Sequence, residues 1–113
     1  MATAAIYRYW SQVAALGCAV TGAPGEICHC HGGSLTPITG PKARGKKLAY
    51  MDWLVICLTP ELHRLAPDSL DLNVRAFERR YGTQVLHINK LIERTSIDVW
   101  ALAKSRHDWA KVA

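Results

Sequence analysis

Residues 26–33 read Glu-Ile-Cys-His-Cys-His-Gly-Gly. Four consecutive members, Cys28, His29, Cys30 and His31, each carry a sulfur or an imidazole nitrogen able to bind a metal. Their spacing does not fit the common zinc modules, in which two ligands from one tight turn are separated as Cys-x2-Cys or His-x3-His. On a β-strand, however, successive side chains alternate, so Cys28 and Cys30 share one side while His29 and His31 share the other. Neighbouring residues can then do different jobs. Metal-assisted hydrolysis needs such a pair, with one group on the ion and the next moving a proton.

The elements that must position these residues follow from periodicity and punctuation. "TAAIYRYWSQVAALG" spaces Ile6, Tyr9/Trp10, Val13 and Leu16/Gly17 three and four apart. This predicts a helix over 3–16, capped by Thr3 and stopped at Gly17. The turn-rich "CAVTGAPGE" leads into a short strand at Ile27–Cys30, and residues 32–47, rich in Gly, Pro and basic residues, are expected to be an irregular loop. "YMDWLVICL" (50–58) reads as a buried strand. Thr59-Pro60 reads as the start of a helix bearing His63, with Thr59 as cap and Pro60 in the first turn. Further on, "NVRAFERRYG" puts Val74, Phe77 and Tyr81 on one face and stops at Gly82. Thr83 caps "QVLHINKLIER" with an apolar stripe of Val85, Ile88, Leu91 and Ile92, and Ser96 caps a last helix. The expectation is one α+β domain over 1–113, with a core at 18–72 holding a two-stranded sheet. A helix at 3–16 precedes it and C-terminal helices within 73–110 follow.

A chain of 113 residues suffices for one domain with a real core. Its longest apolar run, Trp53 to Leu58, is far too short to cross a bilayer, so no membrane partner is expected. "MATAAIYRYWSQ" lacks the charged start and apolar run of a secretory signal. The four cysteines are therefore expected to be cytoplasmic thiols, free or metal-bound, rather than disulfides. The net charge of +5 is unevenly placed. "GPKARGKK" carries Lys42, Arg44, Lys46 and Lys47 without an acid, and Arg75, Arg79 and Arg80 follow later. Such a loop suits a polyanion such as DNA, whose phosphates release counterions when neutralised. The plainer reading is a solvated basic loop.

A strand ending in a ligand pair, a long loop, a second strand and a helix with a histidine form the ββα-metal order of HNH nucleases. There, one strand residue and one helix residue hold a divalent ion against a phosphate oxygen, and the neighbouring strand histidine deprotonates water. On this reading Cys28 is a ligand, His29 the general base and His63 the ligand from the helix. The chain resembles more particularly the phage-encoded HNH family of recombination-enhancement (RecA-dependent) nucleases and their small prophage relatives. The resemblance runs in order through "WSQVAALGCAVTG", "EICHCHGG", "YMDWLVICLTPELHR" and "FERRYGT". It implies DNA phosphodiester cleavage in a host cytoplasm with Mg²⁺ or Mn²⁺, Zn²⁺ being the alternative, and a recombinase or other protein as a further partner. Arg64, next to a ligand, would touch the scissile phosphate, and Lys42, Arg44, Lys46 and Lys47 would hold the DNA backbone.

The departures from that family are informative. Its paired histidines become Cys28-His29. Its Leu-Cys-Pro-Glu-His-His-Arg becomes Leu58-Thr59-Pro60-Glu61-Leu62-His63-Arg64, and its Cys-x-x-Cys becomes Cys18-Ala19-Val20-Thr21. A further family histidine is matched best by Asp71 in Ser69-Leu70-Asp71, whose oxygens suit Mg²⁺ or Mn²⁺. With threonine at two cysteine positions, the structural zinc of the family is not expected. Plainer roles stand beside each assignment: His29 and His63 as hydrogen-bonded structural histidines, Cys28 as a small buried hydrophobe, Asp71 as a loop or cap residue. Cys30 and His31 with Cys18 form a candidate second, softer site. Cys57, Trp10 and Trp53 read as core, and His87 and His107 as solvated. Two rival functions share the sequence. One is a catalytically degenerate HNH-like module that binds DNA or a protein, as a phage accessory or anti-defence factor; the replaced ligands favour it. The other is a zinc-stabilised binding module built on the cysteines.

Overall fold

The first helix begins where its cap dictates. Thr3 Oγ1 accepts from the Ile6 backbone N–H at 3.3 Å and opens α1 (Ala4–Leu16), which turns Ile6, Tyr9 and Val13 into the core. The helix stops at Gly17, with φ +83°; a Cβ there would lie 2.5 Å from the Gly22 carbonyl oxygen, so only glycine fits. This computed structural model describes residues 3–39 and 49–105. Lys42, Arg44, Lys46, Lys47 and His107 therefore lie outside the described residues.

A two-stranded antiparallel sheet makes the centre. β1 (Glu26–His29) pairs with β2 (Val55–Leu58) in the register Glu26↔Leu58, Ile27↔Cys57, Cys28↔Ile56 and His29↔Val55. Every residue of β2 is buried, as its β-branched run predicts, and helices α1 and α4 cover it. Both strands differ from expectation at their ends. β1 starts one residue earlier, at Glu26, although Cys30 N–H still donates to the Leu54 carbonyl at 2.8 Å. β2 is shorter than 50–58 because residues Ala49–Asp52 form a 3₁₀ turn, after which Leu54 N–H still turns back to Met51 O at 3.1 Å.

Part of the stretch expected to be irregular is ordered. Gly33–Leu35 is a 3₁₀ turn that runs into the short helix α2 (Thr36–Thr39). After β2, Pro60 adopts a helical φ of −54° but opens no regular helix. His63 sits instead on one wide turn, Glu61–Leu65, closed by Ala66 N–H to Glu61 O at 2.9 Å. This five-residue spacing is the π geometry, which recurs at functional sites. Thr59 contributes its carbonyl to His63 N–H at 2.9 Å, and no side chain caps the turn.

Three helices complete the domain. Asn73 caps α3 (Val74–Tyr81) and Thr83 caps α4 (Gln84–Thr95), each through its side chain. Asp98, not Ser96, caps α5 (Val99–Lys104). Ser96 already ends α4 in a left-handed conformation, φ +60°, which is incompatible with the extended backbone of an N-cap. The buried residues of α4 are Gln84, His87, Ile88 and Leu91, and Val85 and Ile92 are partly buried against the same core. The buried face thus includes the expected stripe and extends beyond it to Gln84 and His87. His87 is therefore buried rather than solvated. The architecture is α+β with a small sheet among helices, and no described helix is long and apolar enough to cross a membrane.

Candidate metal centre

The alternation expected of residues 28–31 is present. Cys28 and Cys30 are buried in the core, whereas the His29 and His31 side chains keep part of their surface. Three elements bring the ligand candidates together. Cys28 comes from β1 and His63 from the wide turn after β2. Asp71 is placed by two backbone bonds, Leu70 N–H to Leu62 O at 2.8 Å and Asp71 N–H to His63 O at 2.9 Å. The loop thus folds back along the turn, and position 71 falls beside position 63. A sulfur of Cys28, a ring nitrogen of His63 and a carboxylate oxygen of Asp71 lie within 4.8 Å of one another. Among the described residues this is the group of three or more that could hold a metal ion. Cys30 and Cys18 lie outside it.

The His63 ring is held at both nitrogens. Nδ1 is 2.6 Å from Glu26 Oε2, and Nε2 is 3.2 Å from Asp71 Oδ2. Asp71 also reaches His31, whose Nε2 lies 3.0 Å from Oδ1. The half-exposed Arg64 guanidinium closes on Glu26, Nε to Oε2 at 3.0 Å. That guanidinium, with His63 behind it, holds the Glu26 carboxyl below its usual range, and Glu26 in turn raises Arg64. Burial pushes the Cys28 thiol well up, and the nearby Cys30, Asp71 and Glu26 add to this. Without an ion Cys28 is thus a neutral thiol, and its S–H faces the His29 carbonyl at 3.8 Å.

Ile27, His29, His31, His63 and Asp71 line one cavity of about 310 Å³ at the surface beside this cluster. His29 Nε2 lies 3.0 Å from Oδ1 of the buried Asp52, which stands in the turn before β2. The structure therefore brings His29, His63, Asp71 and Cys28 into one neighbourhood and places Arg64 at its edge. Glu26 and Asp52, which were not among the expected site residues, complete it, together with His31, which was expected beside Cys30 and Cys18 and instead reaches Asp71. The one signal for Glu26 was its position two residues before Cys28; an acid in an otherwise apolar "MDWLV" was the signal for Asp52.

Elsewhere, the Cys18-Ala19-Val20-Thr21 turn folds onto its own sulfur, with Thr21 N–H 3.5 Å from Cys18 Sγ. Burial raises this thiol, but the donors of Thr21, Val20 and Thr59 outweigh it and lower its pKa.

The donor set fits a divalent ion. His63 Nε2 and Asp71 Oδ2 already stand at the roughly 3–4 Å separation expected of two ligands sharing one ion at bonds near 2.1 Å. His63 Nδ1 on a carboxylate is the usual support for a ligating imidazole. No family model, curated protein or solved structure matches this chain.

Proposed function

We propose that the protein is a small HNH-type, metal-dependent DNA endonuclease. Cys28, His63 and Asp71 hold the ion and His29 is the general base. The observation that carries this reading is the convergence of His29, His31, His63 and Asp71 on one surface cavity beside a three-donor cluster. The order of elements, strand, connection, strand and histidine-bearing turn, supports this reading, with a single wide turn where the ββα-metal plan has its helix. The resemblance to phage-encoded recombination-enhancement nucleases supports DNA as substrate, a phage or prophage origin, and a recombinase as the protein partner to seek.

The bound ion would supply Lewis-acid stabilisation of charge on a phosphate oxygen and the leaving group. A thiolate and an imidazole in the donor set favour Zn²⁺, with Mn²⁺ next, over Mg²⁺, which prefers oxygen ligands throughout. His29 takes the proton of the attacking water, from the cavity face of β1. Arg64 keeps half its surface and meets a phosphate entering beside His63. The basic residues Lys42, Arg44, Lys46 and Lys47 hold the flanking backbone.

Plasmid relaxation with Mg²⁺, Mn²⁺ or Zn²⁺ tests the reading. His29→Ala should lose about 10²–10⁴-fold in rate while metal and DNA binding persist. His63→Ala should lose metal affinity and activity together, with partial recovery at high Mn²⁺. Equal activity in all three proteins would reveal a contaminating nuclease. One observation favours a second reading, a catalytically degenerate DNA- or protein-binding module. Arg64, Glu26, His63, Asp71 and His31 already pair with one another in one unbroken chain of polar contacts. Wild type that binds DNA or a protein but never nicks would establish it.

A further inference from the structure

His29 is gripped from two sides by groups that the ligand cluster does not use. Asp52 Oδ1 stands 3.0 Å from His29 Nε2. The Asp52 carbonyl accepts the Trp10 indole N–H at 2.8 Å. The Trp10 ring then returns to His29 itself, edge to face, with centroids 5.6 Å apart and planes at 90°. Three elements, α1, the end of β1 and the turn before β2, thus close a ring of contacts around one imidazole. Asp52 is only 7% exposed, and a carboxylate so buried is costly unless hydrogen bonds compensate it. The 3₁₀ turn that shortens β2 sets Asp52 just ahead of the strand that pairs with β1.

We infer that Asp52 is a positioning residue for His29, assisted by Trp10, fixing both the ring plane and the tautomer. An ionised carboxylate can only accept, so a neutral His29 must carry its proton on Nε2 and its lone pair on Nδ1. A base whose orientation is set by a third group follows the logic of an oriented nucleophile–base pair. Trp10 blocks rotation of the ring and ties the Asp52 backbone to α1. The catalytic consequence rests on the nuclease reading proposed above, but the tautomer does not.

The test separates the two. Long-range ¹H–¹⁵N correlation spectra of the full-length protein report which nitrogen of His29 is protonated. Wild type should show the Nε2–H form. Asp52→Asn, nearly isosteric, can turn its amide to donate and should shift His29 toward the Nδ1–H form. Asp52→Ala should give a mixture. In the relaxation assay, Asp52→Asn should lower kcat on the order of 10²-fold with KM for DNA unchanged, because the wrong tautomer disables a base without moving the substrate. Trp10→Phe, which keeps a ring but loses the N–H, should fall between.

Wild-type His29 found as Nδ1–H, or a tautomer unmoved by Asp52→Asn, overturns the inference even if the enzyme cleaves DNA. The expected tautomers in a protein that never cleaves DNA uphold it while refuting the nuclease.

Discussion

Glu26 Oε2 lies 2.6 Å from His63 Nδ1, which turns the other ring nitrogen of His63 toward Asp71. The pair crosses from the first residue of β1 to the turn after β2, so the sheet register itself sets the direction of the ligand. Arg64 keeps Glu26 ionised and in place through its Nε. Glu26→Gln should therefore weaken metal affinity by about 10–100-fold, the usual cost of losing a carboxylate behind a ligating histidine. Competition with a chromophoric chelator measures this. An unchanged dissociation constant would place the ion elsewhere.

Cys28 gives the cluster its soft donor. Its thiol is buried and held neutral in the free protein, so binding must release a proton. Zinc uptake should therefore acidify an unbuffered solution and grow stronger as pH rises. Cys28→Ser should cut Zn²⁺ affinity far more than Mn²⁺ affinity, because only the softer ion gains from sulfur. Cobalt loading offers the direct readout: a thiolate-to-metal absorption band in wild type that disappears in Cys28→Ser.

What could be read from the sequence was local. Thr3 and Thr83 cap their helices through residues three positions on, within reach of any spacing argument, whereas α3 is capped by Asn73 and not by Asp71. The strand pair was legible because Val55, Ile56 and Leu58 form a continuous apolar run, and the face alternation of residues 28–31 follows from strand geometry alone. The partnerships that build the site span much longer separations, 23 residues from His29 to Asp52 and 40 from His31 to Asp71. No periodicity reports them. Asp52 was hidden inside an apparent strand that the Ala49–Asp52 turn cuts short, and His63 inside an apparent helix that is a single wide turn. His87 was misplaced because the buried face of α4 is wider than its apolar stripe and takes in two polar residues, Gln84 and His87.

Gln84 is fully buried, and its amide mimics a strand partner. Oε1 accepts from His31 N–H at 2.8 Å, while Nε2 donates to the His31 carbonyl at 3.0 Å and is 3.3 Å from that of Gly32. Glu78 receives the Gln84 backbone N–H at 2.8 Å and also binds Ser34. This network holds the chain where β1 ends, next to the cavity. Gln84→Ala should cost about 2–3 kcal/mol, since buried backbone groups lose their partners. Gln84→Glu should be worse, because it sets a carboxylate against two carbonyls and Glu78. Urea denaturation measures both, and a loss below about 0.5 kcal/mol, the level of ordinary surface substitutions, would show that the network carries no stability.

His87 should contribute to the acid limb of stability. Burial is the main cause that lowers its pKa below the ordinary 6.5, and Lys90 acts in the same direction against the bond from the ring to the Tyr81 carbonyl. Between the lowered folded value and 6.5, the unfolded chain binds a proton that the folded chain refuses. Stability therefore rises with pH up to about 6.5 and falls as the solution is acidified below it, by at most about 1.4 kcal/mol per pH unit from this one group. The slope should level off once the folded histidine also protonates. His87→Gln cannot titrate, yet its amide can still donate to the Tyr81 carbonyl. Urea midpoints from about pH 5 to about pH 8 should show a flatter acid limb in this variant than in wild type. Parallel curves for the two proteins would assign the acid sensitivity to other groups and remove His87 from the account.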